Sequence, residues 1–228
     1  QFDSASLVSS TSYQERRSSA ITDLVADFGP LLELFAGVPV ENAPFTGAIP
    51  TDRFVQELRL TSEKSDALEW TVGAIYSDEE SGNQQKLEGL PSGFVLLDVN
   101  IPSALEELAG FGSLTWYLTP DFDLTAGARV ARVETSVAVD DGPNILVADT
   151  PPTTSSDTID TWSFGARYRP SEQMSLYGRI ASGYRPETAN LPLLDASGNN
   201  VAPVVVASDT VWSYEAGAKG SNSDGTVA

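Results

Sequence analysis

Arg53-Phe54-Val55-Gln56-Glu57-Leu58-Arg59-Leu60-Thr61-Ser62 and, after a short polar break, Trp70-Thr71-Val72-Gly73-Ala74-Ile75-Tyr76 decide the fold of this 228-residue chain. Phe54, Gln56, Leu58 and Leu60 alternate with Val55, Glu57, Arg59 and Thr61. A period of two sends successive side chains to opposite faces of a strand. One face is mostly apolar and the other carries charge of both signs. Trp70, Val72, Ala74 and Tyr76 repeat the scheme against Glu69, Thr71, Gly73 and Ile75. The connector Ser62–Ala67 is short and polar, so the two segments read as an antiparallel hairpin.

The same pattern recurs along the chain. Leu114, Trp116 and Leu118 precede Pro120-Asp121, and Leu124, Ala126, Ala128 and Val130 follow it. Trp162, Phe164, Ala166 and Tyr168 precede Pro170–Gln173, and Leu176, Gly178 and Ile180 follow. Trp212, Tyr214, Ala216 and Ala218 form a last segment, and Leu7–Arg17 a less regular first one. About eight strands of roughly 9–13 residues result, the length that a tilted membrane strand needs. Short connectors (62–67, 120–121, 170–173, 220–225) alternate with long ones (20–50, 77–110, 138–157, 186–208). Short turns on one side and long loops on the other mark outer-membrane barrels. The expected fold is therefore all-β: an antiparallel transmembrane β-barrel segment with short periplasmic turns and long extracellular loops. A secreted β-sandwich binding or adhesin module is the alternative with the same alternation.

Composition narrows the function. No apolar run approaches the ~20 residues of a membrane helix. The net charge of −19 argues against nucleic acid. The chain holds neither Cys nor His, which removes disulfides, thiolate metal sites and the commonest general base. No catalytic residue, cofactor or metal is expected. Asp78, Glu79 and Glu80 read as a solvated strand end. Asp140-Asp141-Gly142 and Asp195–Asn200 read as Asx-rich turns rather than Ca²⁺ loops.

The two faces assign roles. Trp70, Tyr76, Trp116, Trp162, Tyr168, Trp212 and Tyr214 fall on the apolar face and are expected to meet lipid, several of them as an interfacial girdle. Glu57, Arg59, Arg129, Arg167, Arg179, Glu215 and Lys219 fall on the other and are expected to face the lumen. Arg167 and Arg179 are expected to pair with Glu215 or Glu57. Ligand contacts are expected from the loops 20–50, 82–109, 140–157 and 187–209.

Four stretches resemble the barrel of TonB-dependent receptors, and they occur in that family's order. They are Arg53–Ser62 with Trp70–Tyr76, Trp116–Arg129, Leu176–Pro186 and Trp212–Gly220. The resemblance implies a bacterial outer-membrane location and a larger barrel occluded by a plug. It implies uptake of a scarce small nutrient, a ferric siderophore first, with cobalamin or carbohydrate as other ligands. It implies energy from the TonB complex acting through the plug, with outer-membrane lipid as the surrounding partner. No plug segment or TonB box stands near Gln1, and no closing aromatic strand stands at Ala228. Residues 1–228 are therefore expected to be an internal part of the barrel domain, with a small complete eight-stranded barrel or a passive porin-like barrel as alternatives.

Overall fold

The computed structural model describes residues 5–63, 65–141, 150–189, 203 and 205–220. Its elements are β1 (Ala5–Asp23), α1 (Val25–Ala36), β2 (Pro44–Ser62), β3 (Leu68–Gly89), β4 (Phe94–Thr119), β5 (Phe122–Asp141), β6 (Thr150–Ser171), β7 (Met174–Arg185), β8 (Thr188–Ala189), β9 (Val205–Val206) and β10 (Asp209–Gly220). Eight of the strands form one antiparallel sheet in the order β1-β2-β3-β4-β5-β6-β7-β10, curled as a half-barrel. The short strands β8 and β9 pair apart from it. A sandwich would need a second sheet packed face to face. The sheet does not close on itself: β1 and β10 are its edges.

Directly paired residues of an antiparallel ladder share a face. One row runs Trp70–Leu114–Ala126–Phe164–Ile180–Tyr214 across six strands. The next row, on the opposite face, runs Glu69–Thr115–Thr125–Gly165–Arg179–Glu215. The first face carries most of the exposed large apolar side chains, with Trp116 52% and Tyr214 75% accessible. The second buries Ser77, Ala109, Asp123, Ala131, Val133 and Thr135. Curling explains the asymmetry, because side chains crowd on a concave face and splay on a convex one.

The strands run far past the segments that alternate. β3 continues from Tyr76 to Gly89, and β4 begins at Phe94. The expected long loop 77–110 is thus mostly ladder, with Glu79↔Leu105 and Gln85↔Val99 paired along it. Its only turn lies at Leu90–Gly93, where Gly93 holds φ 72° and the Leu90–Pro91 peptide is cis. The expected loop 20–50 likewise dissolves into the end of β1, a helix and the start of β2. On β3 neither face carries an apolar side chain larger than glycine from Ser77 to Lys86, so the hydrophobic period that signals a strand fades there.

Helix α1 has a local logic. The Asp23 carboxylate accepts the Val25 N–H at 3.0 Å and the Ala43 N–H at 2.9 Å, tying helix entry to strand entry. Gly37 ends the helix in the left-handed region, its N–H bonded to the Glu33 carbonyl at 2.9 Å. The Glu33 carboxylate accepts the Val40 N–H at 3.0 Å. Leu32, fully buried, joins Val40, Ala43, Leu87, Leu96, Leu97, Val99 and Val139 in the larger apolar core. This core lies at the far end of the sheet from the short turns. Gly89 lets the helix come close, since a Cβ there would lie 3.1 Å from Val40 and 3.4 Å from Leu32. Rings of Phe35 and Phe94 stack at 6.0 Å over the hairpin tip.

Candidate functional site: the two walls of the half-barrel

The outer, convex wall divides into a band and a rim. From the short turns upward, each strand's outer face begins apolar or uncharged. The first charged side chains it meets are Glu15 on β1, Asp52 on β2, Asp78 on β3, Glu106 on β4, Arg132 on β5 and Asp160 on β6. Along β4 the uncharged stretch runs from Leu118 to Leu108, roughly 25 Å at ~3.4 Å per residue and a tilt of ~40°. That matches the height of an outer-membrane apolar band. Trp70, Trp116 and Tyr168 lie near the turn ends Leu68, Thr119 and Ser171 of their strands. Tyr76, Trp162 and Trp212 lie near the charged limit. The Trp162 indole N–H donates to the Asp160 carboxylate at 2.6 Å, an apolar ring with one polar contact at the boundary. The register puts all seven aromatics singled out from the sequence on this one face.

The inner, concave wall holds the seven charges singled out from the sequence, and the register puts them on one face too. Their pairing differs from the expectation. Arg167 and Arg169 both converge on Asp123, at 2.9 and 3.0 Å. Asp123 is only 3% exposed, and its contribution was missed because a lone Asp after a turn looks like a turn residue. Glu57 pairs with Arg59 two residues along its own strand, at 3.4 Å. Arg129 pairs with Glu107 across β4 and β5. Arg179 stands directly across from Glu215, but the Glu215 carboxylate accepts the Tyr177 hydroxyl at 2.8 Å. Lys219 sits 5.5 Å over the Tyr177 ring. That ring lies across Gly217, where a Cβ would meet it at 2.6 Å. Phe111 covers Gly73 in the same way, at 2.5 Å. Gly73 is required, because a Cβ there would also meet the Leu58 carbonyl oxygen at 2.7 Å, whereas at Gly217 the end of the Tyr177 side chain would have to shift.

The inner wall also forms a polar cleft of about 460 Å³ near the short-turn end, lined among others by Glu69, Tyr117, Asp123, Arg167, Tyr177 and Arg179. Higher on the same wall, Glu187 reaches back over β5 and β6. Its carbonyl accepts the Thr135 hydroxyl at 3.2 Å, and its carboxylate accepts the Ser155 hydroxyl. At the far end, Glu88 lies 2.8 Å from Lys86 and holds that ammonium above the usual lysine range. It stays protonated through neutral pH.

Of the expected ligand loops, 82–109 is ladder apart from its turn, and 20–50 contains α1. The remainder falls partly or largely outside the described residues: 142–149 within 140–157, and 190–202 within 187–209. Asp195–Asn200 and Gly142 lie there too. Among the described residues no cluster of three metal-ligating side chains occurs.

A long-stranded antiparallel sheet with an apolar convex band and a charged concave wall is the architecture of an outer-membrane β-barrel segment. The chain belongs to the TonB dependent receptor-like, beta-barrel family, whose model matches residues 2–228. That family works as receptors and transporters in the outer membrane of Gram-negative bacteria, not as enzymes. No match was found among curated protein sequences. Among solved structures, the chain is similar to the ferric yersiniabactin uptake receptor FyuA from Yersinia pestis, with a TM-score of 0.75 and 18% identity. It is also similar to the siderophore receptor PiuA from Acinetobacter baumannii (TM-score 0.69, 15% identity) and the Ferric-Catecholate import receptor Fiu from E. coli K12 (TM-score 0.65, 16% identity). Each likeness covers 98% of this chain but only 32%, 36% and 37% of the other. The chain thus spans about a third of the length of those receptors, and at these identities the likeness shows the fold.

Proposed function

We propose that this chain forms part of the wall of an outer-membrane active-transport receptor for a scarce nutrient, with a ferric siderophore as the first candidate. The observation that carries the proposal is the family match over residues 2–228, joined to folds shared with siderophore receptors over 98% of the chain. In this reading a plug and further strands complete the barrel, and TonB supplies energy through the plug. Glu57, Arg59, Arg129, Arg167, Arg179, Glu215 and Lys219 face the lumen. Trp70, Tyr76, Trp116, Trp162, Tyr168, Trp212 and Tyr214 face lipid. The inner-wall charges are mostly paired within the wall, which suits a surface against which a plug rests and moves. A passive porin-like barrel is the second reading.

The test uses the full-length protein in cells lacking their own siderophore receptors. Uptake of ⁵⁵Fe-loaded siderophores is expected to require both the protein and TonB, while surface binding persists without TonB. Uptake that continues undiminished without TonB supports the porin reading and contradicts the proposal.

A further inference from the structure

Helix α1 lies against the inner wall at the end away from the short turns. Its Leu32 packs with Leu87, Leu97 and Val99, which the register puts on the concave face. A helix turns by about 100° per residue, so Leu34 points away from the wall, toward the barrel axis. Leu34 is 76% exposed, and Phe35 and Val38 beside it are exposed too. Asp27 shares the face of Leu34, about two turns earlier. We propose that this face of α1 contacts the ligand, and that the ligand is a ferric chelate of net positive charge with apolar methylene segments. Linear trihydroxamates with a free ammonium group have that chemistry. The inference rests on the siderophore-receptor reading above and narrows it to one class of chelate.

Charge complementarity selects that occupant. Neither Lys nor Arg occurs in 18–52, 87–128, 133–166 or 186–218, and these stretches contain every connection at this end of the sheet. Asp23, Asp27, Glu33 and Glu41 lie on or beside α1. On the inner face of β1 and β2, the first cations met below the helix are Arg16 and Arg53. Arg16 lies roughly 24 Å down β1 from Asp23, at ~3.4 Å per residue. Arg53 is held by Glu79, at 3.7 Å. Lower on the same wall a cleft of about 180 Å³ is lined by Glu79, Ser81, Ser103 and Thr135 among others, again with no Lys or Arg. A trianionic chelate meets no guanidinium here that could grip it and is repelled by the carboxylates. A cationic chelate is concentrated by the same field, and its methylenes find Leu34, Phe35 and Val38.

The test measures ⁵⁵Fe uptake by the full-length protein in cells that lack their own siderophore receptors, with and without TonB. Three chelates are offered: ferrioxamine B, a trihydroxamate made cationic by its free ammonium; the same chelate N-acetylated, which is neutral; and ferric enterobactin, a trianionic tris-catecholate. Ferrioxamine B is expected to half-saturate uptake at a severalfold lower concentration than its acetylated form, and at least ~10-fold lower than the tris-catecholate. Leu34→Ala with Val38→Ala should raise that concentration severalfold for both hydroxamates. Asp27→Asn with Glu41→Gln should raise it for ferrioxamine B alone. Heat-modifiable electrophoresis verifies that each variant is folded. No preference for ferrioxamine B over either competitor, or folded variants without effect, overturns the inference and leaves the receptor reading standing. Uptake of none of the three also overturns the inference. Uptake of all three that ignores TonB overturns the reading beneath it as well.

Discussion

The lower and upper halves of one strand obey different rules. On β4, Leu108 to Leu118 alternate an apolar outer side chain with an inner face of mixed character. From Phe94 to Glu107 the same strand has polar outer positions at Asp98, Asn100 and Glu106. Its inner positions Leu97, Val99 and Ile101 pack under or beside α1. The polarity of the faces has partly exchanged. In the proposed reading, lipid stabilises an apolar outer wall below the charged limit, the interior carries charge, and water surrounds the sheet above it. The upper part holds a core of the soluble kind, built where a helix covers the strands. Sheet hydrogen bonding is continuous through the change, so the ladder does not reveal where the surroundings switch.

The largest effect expected from this contrast is a charge placed in the band. Leu58→Arg in the full-length protein should cost ~2–4 kcal/mol of folding in lipid vesicles. Gln84→Arg, above the limit, should cost close to nothing, and urea titration of the heat-modifiable form measures both. Next is Leu32→Ala, which removes a fully buried side chain from the upper core. About 2–3 kcal/mol should be lost, and only locally. Hydrogen exchange should quicken over 25–43 and 87–99 while the lower parts of β3 and β4 keep their protection. Equal loosening of both halves would break the distinction. Asp123→Asn should cost about 1–3 kcal/mol, since Arg167 and Arg169 lose one shared, buried carboxylate, discounted because both arginines are partly exposed. The smallest effect is Glu106→Gln, which interrupts the like-charged row with Asp78 and Glu134. A gain of ~0.2–1 kcal/mol is expected, fading at high salt.

What the sequence revealed follows the same boundary. In the band, Trp70 to Tyr76 and Leu114 to Leu118 alternate cleanly, and both faces of the sheet were legible from them. Ser77-Asp78-Glu79-Glu80-Ser81-Gly82-Asn83-Gln84-Gln85-Lys86 is polar at every position, so nothing in it distinguishes a strand in water from a loop. Helix α1 was obscured by Gly29-Pro30 in its middle, although Leu31, Leu32, Leu34 and Phe35 hint at helical spacing. The inner-wall pairs were illegible for another reason. Which acid meets Arg167 depends on the register between β5 and β6, where Asp123 lies directly across. Alternation assigns a face but not a neighbour.

The central claim is that lipid covers the outer wall only up to Asp52, Asp78, Glu106, Arg132 and Asp160, while the strands continue into water. Nitroxide labels placed one at a time at the outer positions of β4, from Phe94 to Leu118, test it in the full-length protein reconstituted in bilayers. The account predicts high oxygen and low nickel-chelate accessibility from 108 to 118, reversing at 106 and staying reversed at 100 and 98. Nickel accessibility that is uniform along the strand, or a reversal well away from Glu106, would contradict it.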